Sequence, residues 1–226
     1  MWWIAKELQP YRRQREVAKG IERLGGKVHW MIDFPRVEST TQAWLRRLLG
    51  EELFAYPEVV EIYNGEAMQY LAELGQPHVL TLVGAEVTNE NLEYVRKLTE
   101  LQSIALLDTH VTDDGMRPLL ELKHLQVLWI EGAPVTDAGI DYIQEMTQLR
   151  DVILIGTQVA DAGLVKLSNL KQLNRLVLKR SSITDAGLDC LKDCTELREL
   201  NIMSTGVSDD AITRLQQALP NCQIIH

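Results

Sequence analysis

The chain has 226 residues, 46% hydrophobic and 24% charged, which is enough for one well-buried core and leaves no low-complexity or disordered tract. Its net charge of −9 is unevenly shared: residues 1–52 carry 10 basic and 7 acidic side chains, residues 53–226 carry 13 and 25. An acidic body argues against nucleic acid as a partner, because phosphate binding needs clustered Lys and Arg.

The opening Met1 to Ala5 is interrupted by Lys6 and Glu7, too short an apolar run for a signal sequence or a membrane span. A soluble cytoplasmic protein is therefore expected. Tyr11 to Leu24 places Val17, Ile21 and Leu24 among many charges, the pattern of an amphipathic helix ended by Gly25-Gly26. Lys27 to Asp33 alternates as a strand through Val28, Trp30 and Ile32, and Ser39-Thr40-Thr41 can cap a second helix through Trp44, Leu45, Leu48 and Leu49. Residues 1–56 thus read as a helix-strand-helix cap. Arg12, Arg13, Arg15, Arg46 and Arg47 make it locally basic, as a solvated helical face would be.

From residue 57 the chain is an array. A degenerate unit comes first, with Val60 and Ile62 as strand and Met68, Leu71 and Leu74 as helix, shorter than the rest by about one helical turn. Six regular blocks of 24 residues follow, beginning at Pro77, Leu101, Leu125, Leu149, Leu173 and Leu197. Positions one, four and six of each are apolar, as in Leu125, Leu128 and Ile130, which suits a short strand with alternate side chains turned inward. A further apolar anchor comes five residues on (Val87, Val111, Val135, Val159, Ile183, Val207), followed in most units by Thr-Asp-x-Gly. Thr suits a helix N-cap and Asp suits the first turn, so each unit then enters a short helix such as Ile140, Ile143, Met146. Gly115, Gly139, Gly163 and Gly187 recur singly, where adjacent coils would approach closely. Residues 221–226 supply a short final cap strand.

The strand LxxLxL followed by VTDAGI or ITDAGL, at Val135 to Ile140 and Ile183 to Leu188, resembles the leucine-rich repeat family, in the variant related to ribonuclease-inhibitor-like and cysteine-containing repeats. With the cap before it, the arrangement is similar to bacterial leucine-rich repeat proteins. The resemblance implies an α/β fold: a right-handed solenoid with a parallel sheet on its concave side and short helices on its convex side. It also implies a scaffold for binding proteins, not a particular partner.

No catalytic constellation is found. His29, His78, His110, His124 and His226 fall at unrelated unit positions, and there is no HExxH, GxSxG, P-loop or paired CxxC. A non-enzymatic protein with no cofactor, no metal and no small-molecule substrate is expected. Cys190, Cys194 and Cys222 read as packing residues, and the ladder Asp113, Asp137, Asp161, Asp185 and Asp209 as helix-start charges.

Recognition is expected on the strand positions that face away from the core. Among these, Val83, Leu107, Trp129, Ile153, Ile155 and Val177 form an apolar centre, with Arg175, Lys179 and Arg180 as a basic rim toward the C-terminal end. This face would bind a protein or peptide through Trp129, the rim reading an acidic group. Two other readings stand beside it: β-branched residues suit a parallel sheet for its own sake, and the chain could be a structural subunit whose cap and concave face are permanently covered.

Overall fold

The computed structural model describes residues 2–31 and 56–226. Among the described residues one sheet of nine strands follows sequence order: β1 (Lys27–Met31), β2 (Tyr56–Ile62), β3 (Val79–Val83), β4 (Ser103–Leu107), β5 (Val127–Glu131), β6 (Asp151–Ile155), β7 (Arg175–Val177), β8 (Glu199–Asn201) and β9 (Gln223–Ile225). β1 pairs antiparallel with β2, and every later neighbour is parallel. Along the regular array the register advances one unit per strand, so Leu128 lies beside Ile104 on one side and Val152 on the other. Between β2 and β3 the step is smaller, Val60 pairing with Leu80, as the shortened first coil requires.

The inward positions form one continuous core. Leu125, Leu128, Ile130, Val135, Ile140 and Ile143 of a single unit are all fully buried, and their counterparts repeat through the stack. The units leave room for only one to three helical turns, partly 3-10, as at Asp113–Glu121, Ile140–Ile143 and Asp161–Leu167. Helices this short do not persist alone, so packing of their apolar side holds them. The last helix, Asp209–Ala218, is longer and is capped by the Ser208 hydroxyl, which accepts from the Ala211 N–H.

At the N-terminus a helix, α1 (Trp2–Arg23), starts earlier than the apolar spacing indicated and carries Pro10 within it. It packs Val17, Ala18 and Ile21 into the core, and Gly25 ends it with a positive φ of 86°. The strand that follows is described over Lys27–Met31, and Ile32 and Asp33 lie outside the described residues. The helix expected through Trp44 to Leu49 lies outside the described residues.

The Thr-Asp-x-Gly motif works between coils as well as within one. Asp113 accepts the backbone N–H of Thr136 and the Thr136 hydroxyl, both at 2.7 Å. Asp161 does the same with Thr184 at 2.8 and 2.6 Å, and Asp185 with Ser208 at 2.7 and 2.7 Å. Asp137 holds the N–H of Ala160 at 2.8 Å. The Asp residues are therefore staples to the next coil, not merely helix-start charges. Gly139 is small because a Cβ there would lie 2.6 Å from Asp113 Oδ1 and 2.7 Å from Val135 Cγ1, so the close approach read from the sequence is to the preceding coil's carboxylate.

Candidate protein-interaction face

Strand alternation and the one-unit register place the outward side chains in three rows that cross the strands. The first contains Val79, Ser103, Val127, Asp151, Arg175 and Glu199. The second contains Thr81, Ala105, Trp129, Ile153, Val177 and Asn201. The third runs Val83, Leu107, Glu131, Ile155, and Lys179 continues it one strand further, with its carbonyl accepting the Gly156 N–H at 2.9 Å.

Accessibility sorts the expected residues. Trp129 is 37% exposed, whereas its neighbours in the second row are largely covered: Ala105 at 9%, Ile153 at 7% and Val177 at 3%. Ile153 and Val177 thus lie on the outward side of the sheet but offer little surface, Ile153 standing in register beside Trp129 and Val177 one strand further. Val83, Leu107 and Ile155 in the third row are half-buried and add accessible apolar area along one flank. The apolar centre expected from the sequence is narrower than alternation alone suggested, being Trp129 with this flank.

The basic rim also resolves into unequal members. Arg175 donates from Nε to Glu199 Oε1 at 2.9 Å and stands in register between Asp151 and Glu199. Arg180 Nη2 lies 3.6 Å from Glu131 Oε1, reaching past Ile155 and Gly156 of the coil between. Lys179 forms no ion pair among the described residues. Glu131, absent from the residues picked out as binding candidates, is what neutralises Arg180. Sequence reasoning could not find it, because the two charges are separated by two coils.

Arg180 has a second peculiarity. Its φ is +54°, and the equivalent position of other units is Gly84, Gly132 and Gly156, each with positive φ. Asp108 and Ser204 share the left-handed conformation. A side chain is therefore kept at Arg180 where the backbone favours glycine.

At the first turn of the stack a polar cluster occupies the same side. Tyr63 donates to Glu61 Oε2 at 2.6 Å, and Lys27 Nζ lies 3.2 Å from that oxygen. These contacts hold the Glu61 carboxyl below its ordinary range, the Tyr63 hydrogen bond contributing most, and raise the Lys27 ammonium. They join β1 to β2.

A shallow groove of about 540 Å³ follows the opposite ends of the strands, with Arg150, Lys171, Asp151 and Glu196 among its lining residues. Its acids and bases balance, and the lining includes no serine, cysteine or histidine. Among the described residues no three His, Cys, Asp or Glu side chains converge as a metal site, and no helix is long and apolar enough to cross a membrane.

The class of protein follows from the 24-residue coils, the single, mostly parallel sheet and the convex short helices: this is a leucine-rich repeat solenoid. Solved structures agree. The chain is similar to an internalin (inlF) from Listeria monocytogenes, with 23% identity and a TM-score of 0.58 over 73% of this chain and 44% of that one. It is also similar to internalin C2 (inlC2) of the same organism, with 22% identity and a TM-score of 0.54 over 75% of this chain and 80% of that one. The chain thus spans less than half the length of the first of these. No protein-family model and no curated protein matches the sequence.

Proposed function

We propose that this solenoid is a non-enzymatic protein-interaction module that binds a protein or peptide on its concave sheet face, with Trp129 as the principal anchor. The observation that carries the reading is the 37% exposure of Trp129 in a row whose adjacent members are small or covered. Strand propensity accounts for Ile153 and Val177, which are buried, but not for a large aromatic ring left in water. An indole supplies much contact area with few rotamers to immobilise, which makes it a frequent hot spot. The flanking Val83, Leu107 and Ile155 exclude water around it, and Arg175, Lys179 and Arg180 set the polar edge.

The test is capture from native extract with wild type and Trp129→Asp as paired baits, each checked for the same thermal unfolding. Capture of a protein by wild type that is lost with the variant is the expected result. Identical capture by both baits would remove the concave face from consideration.

A further inference from the structure

We infer that the concave face selects an extended peptide carrying an apolar anchor for Trp129 and a carboxylate for Lys179, three or four residues apart. This rests on the concave face being the binding surface, and it adds which chemical groups the partner presents and at what spacing.

The charge pattern selects the partner's sign. In the first row Arg175 pairs with Glu199 and stands in register beside Asp151, so a guanidinium already lies among the acids there. In the third row Glu131 is matched by Arg180. Lys179 is left over. It is half-buried and has no ion pair among the described residues, so a partner's carboxylate would be its first. The Glu131–Arg180 pair also screens Lys179 from the one acid in its own row.

Spacing follows from sheet geometry. Trp129 is on β5, and Lys179 continues β7, two strands away at about 4.8 Å per strand and one row further along at about 6.6 Å. The two Cα atoms are therefore about 12 Å apart. A β-extended peptide lying across the strands brings side chains i and i+4 onto one face over about 13 Å. A polyproline II segment brings i and i+3 together over about 9 Å. Either reaches both groups with the latitude of a lysine side chain. Between the two points the peptide crosses Ile153 and Val177, whose low profile leaves a level floor for its backbone.

The experiment is selection of random twelve-residue peptides displayed on phage against the full chain, its Trp129→Asp variant and its Lys179→Glu variant. Wild type should enrich an aromatic or aliphatic residue with Asp or Glu three or four positions away. Lys179→Glu should enrich Lys or Arg at that same position, and should bind the synthetic wild-type consensus about tenfold more weakly at low salt. If wild-type peptides depend on Trp129 but show no acidic position and bind Lys179→Glu equally well, the inference fails while the concave-face reading survives. If no enriched peptide depends on Trp129, both fail. Thermal unfolding of each variant, both at accessible positions, verifies that the fold is intact.

Discussion

The inter-coil staple makes a quantitative claim about Asp113 and Gly139. Asp113→Ala removes two hydrogen bonds to a carboxylate, from the Thr136 N–H and hydroxyl, at a partly exposed site, and should cost about 2 kcal/mol. Gly139→Ala forces a Cβ to within 2.6 Å of Asp113 Oδ1 and 2.7 Å of Val135 Cγ1. Overpacking of that kind costs about 2–3 kcal/mol, reduced by about 1 kcal/mol because Gly139 has helical dihedrals that alanine favours. In the double variant the carboxylate oxygen is gone and the alanine has only Val135 to displace. The pair should therefore lose at least about 1 kcal/mol less than the sum of the single variants. Asp113→Asn supplies a control, because Asn89 already serves this role one coil earlier, accepting the Thr112 N–H at 2.9 Å and donating to its hydroxyl at 2.8 Å. It should cost under about 1 kcal/mol. Urea midpoints at constant m-value measure all four. Additivity within about 0.5 kcal/mol, or an Asn variant as weak as the Ala variant, would refute the staple.

Three further outcomes are expected. Arg180→Gly should stabilise the chain by about 0.5 kcal/mol in urea denaturation, because it relieves a left-handed side chain at the loss of an exposed ion pair; destabilisation would mean that the Arg180–Glu131 pair outweighs the strain. The Ser208 backbone N–H and then its hydroxyl hold the Asp185 carboxyl below the ordinary range, so this group's stabilisation is present above about pH 4 and lost as pH falls through the lowered value. Melting temperature against pH should therefore fall less steeply below pH 4 in Asp185→Asn than in wild type, and parallel curves would refute the assignment. Burial pushes the Cys190 thiol up to about 11, so iodoacetamide at pH 8 should alkylate it more than about a hundredfold slower in the native chain than in urea, as read by mass spectrometry; a native rate within tenfold would contradict the packing.

Much of the fold was legible because a stacked coil repeats its demands. Leu125, Leu128 and Ile130 had to face inward at the same unit positions as Leu173, Leu176 and Leu178, and all six are buried to within about one per cent. The Thr-Asp-x-Gly motif was equally visible, but half of its meaning was not. Asp113 and Thr136 are 23 positions apart and meet only because the coils stack one strand spacing apart, so a reading along a single chain segment assigned the carboxylate to its own helix. The signal was present in the replacement of Asp by Asn89, which keeps the acceptor and gives up the charge.

The concave face shows the complementary limit. Period-two alternation identifies which side chains point outward, but exposure depends on the sizes of neighbours one strand away. Ile153 stands in register with Trp129 on one side and Val177 on the other, and it is nearly covered, whereas Trp129 has only Ala105 and Ile153 beside it and protrudes. Charge matching is less legible still, since Arg180 finds Glu131 across two coils.

What the stack does not dictate is informative for that reason. The core positions, the staple and the left-handed turn are imposed on every coil by its neighbours, so their residues report stability. Trp129 and Lys179 occupy positions on which the stack places no such demand, and Arg180 occupies one where the demand is for glycine. The strained arginine neutralises Glu131, and by doing so leaves Lys179 as the cation of the third row with no acid of its own. Backbone strain, exposed aromatic area and unmatched charge therefore fall within three adjacent coils of one face. A solenoid selected for stability alone would favour glycine at position 180 and a smaller side chain at position 129.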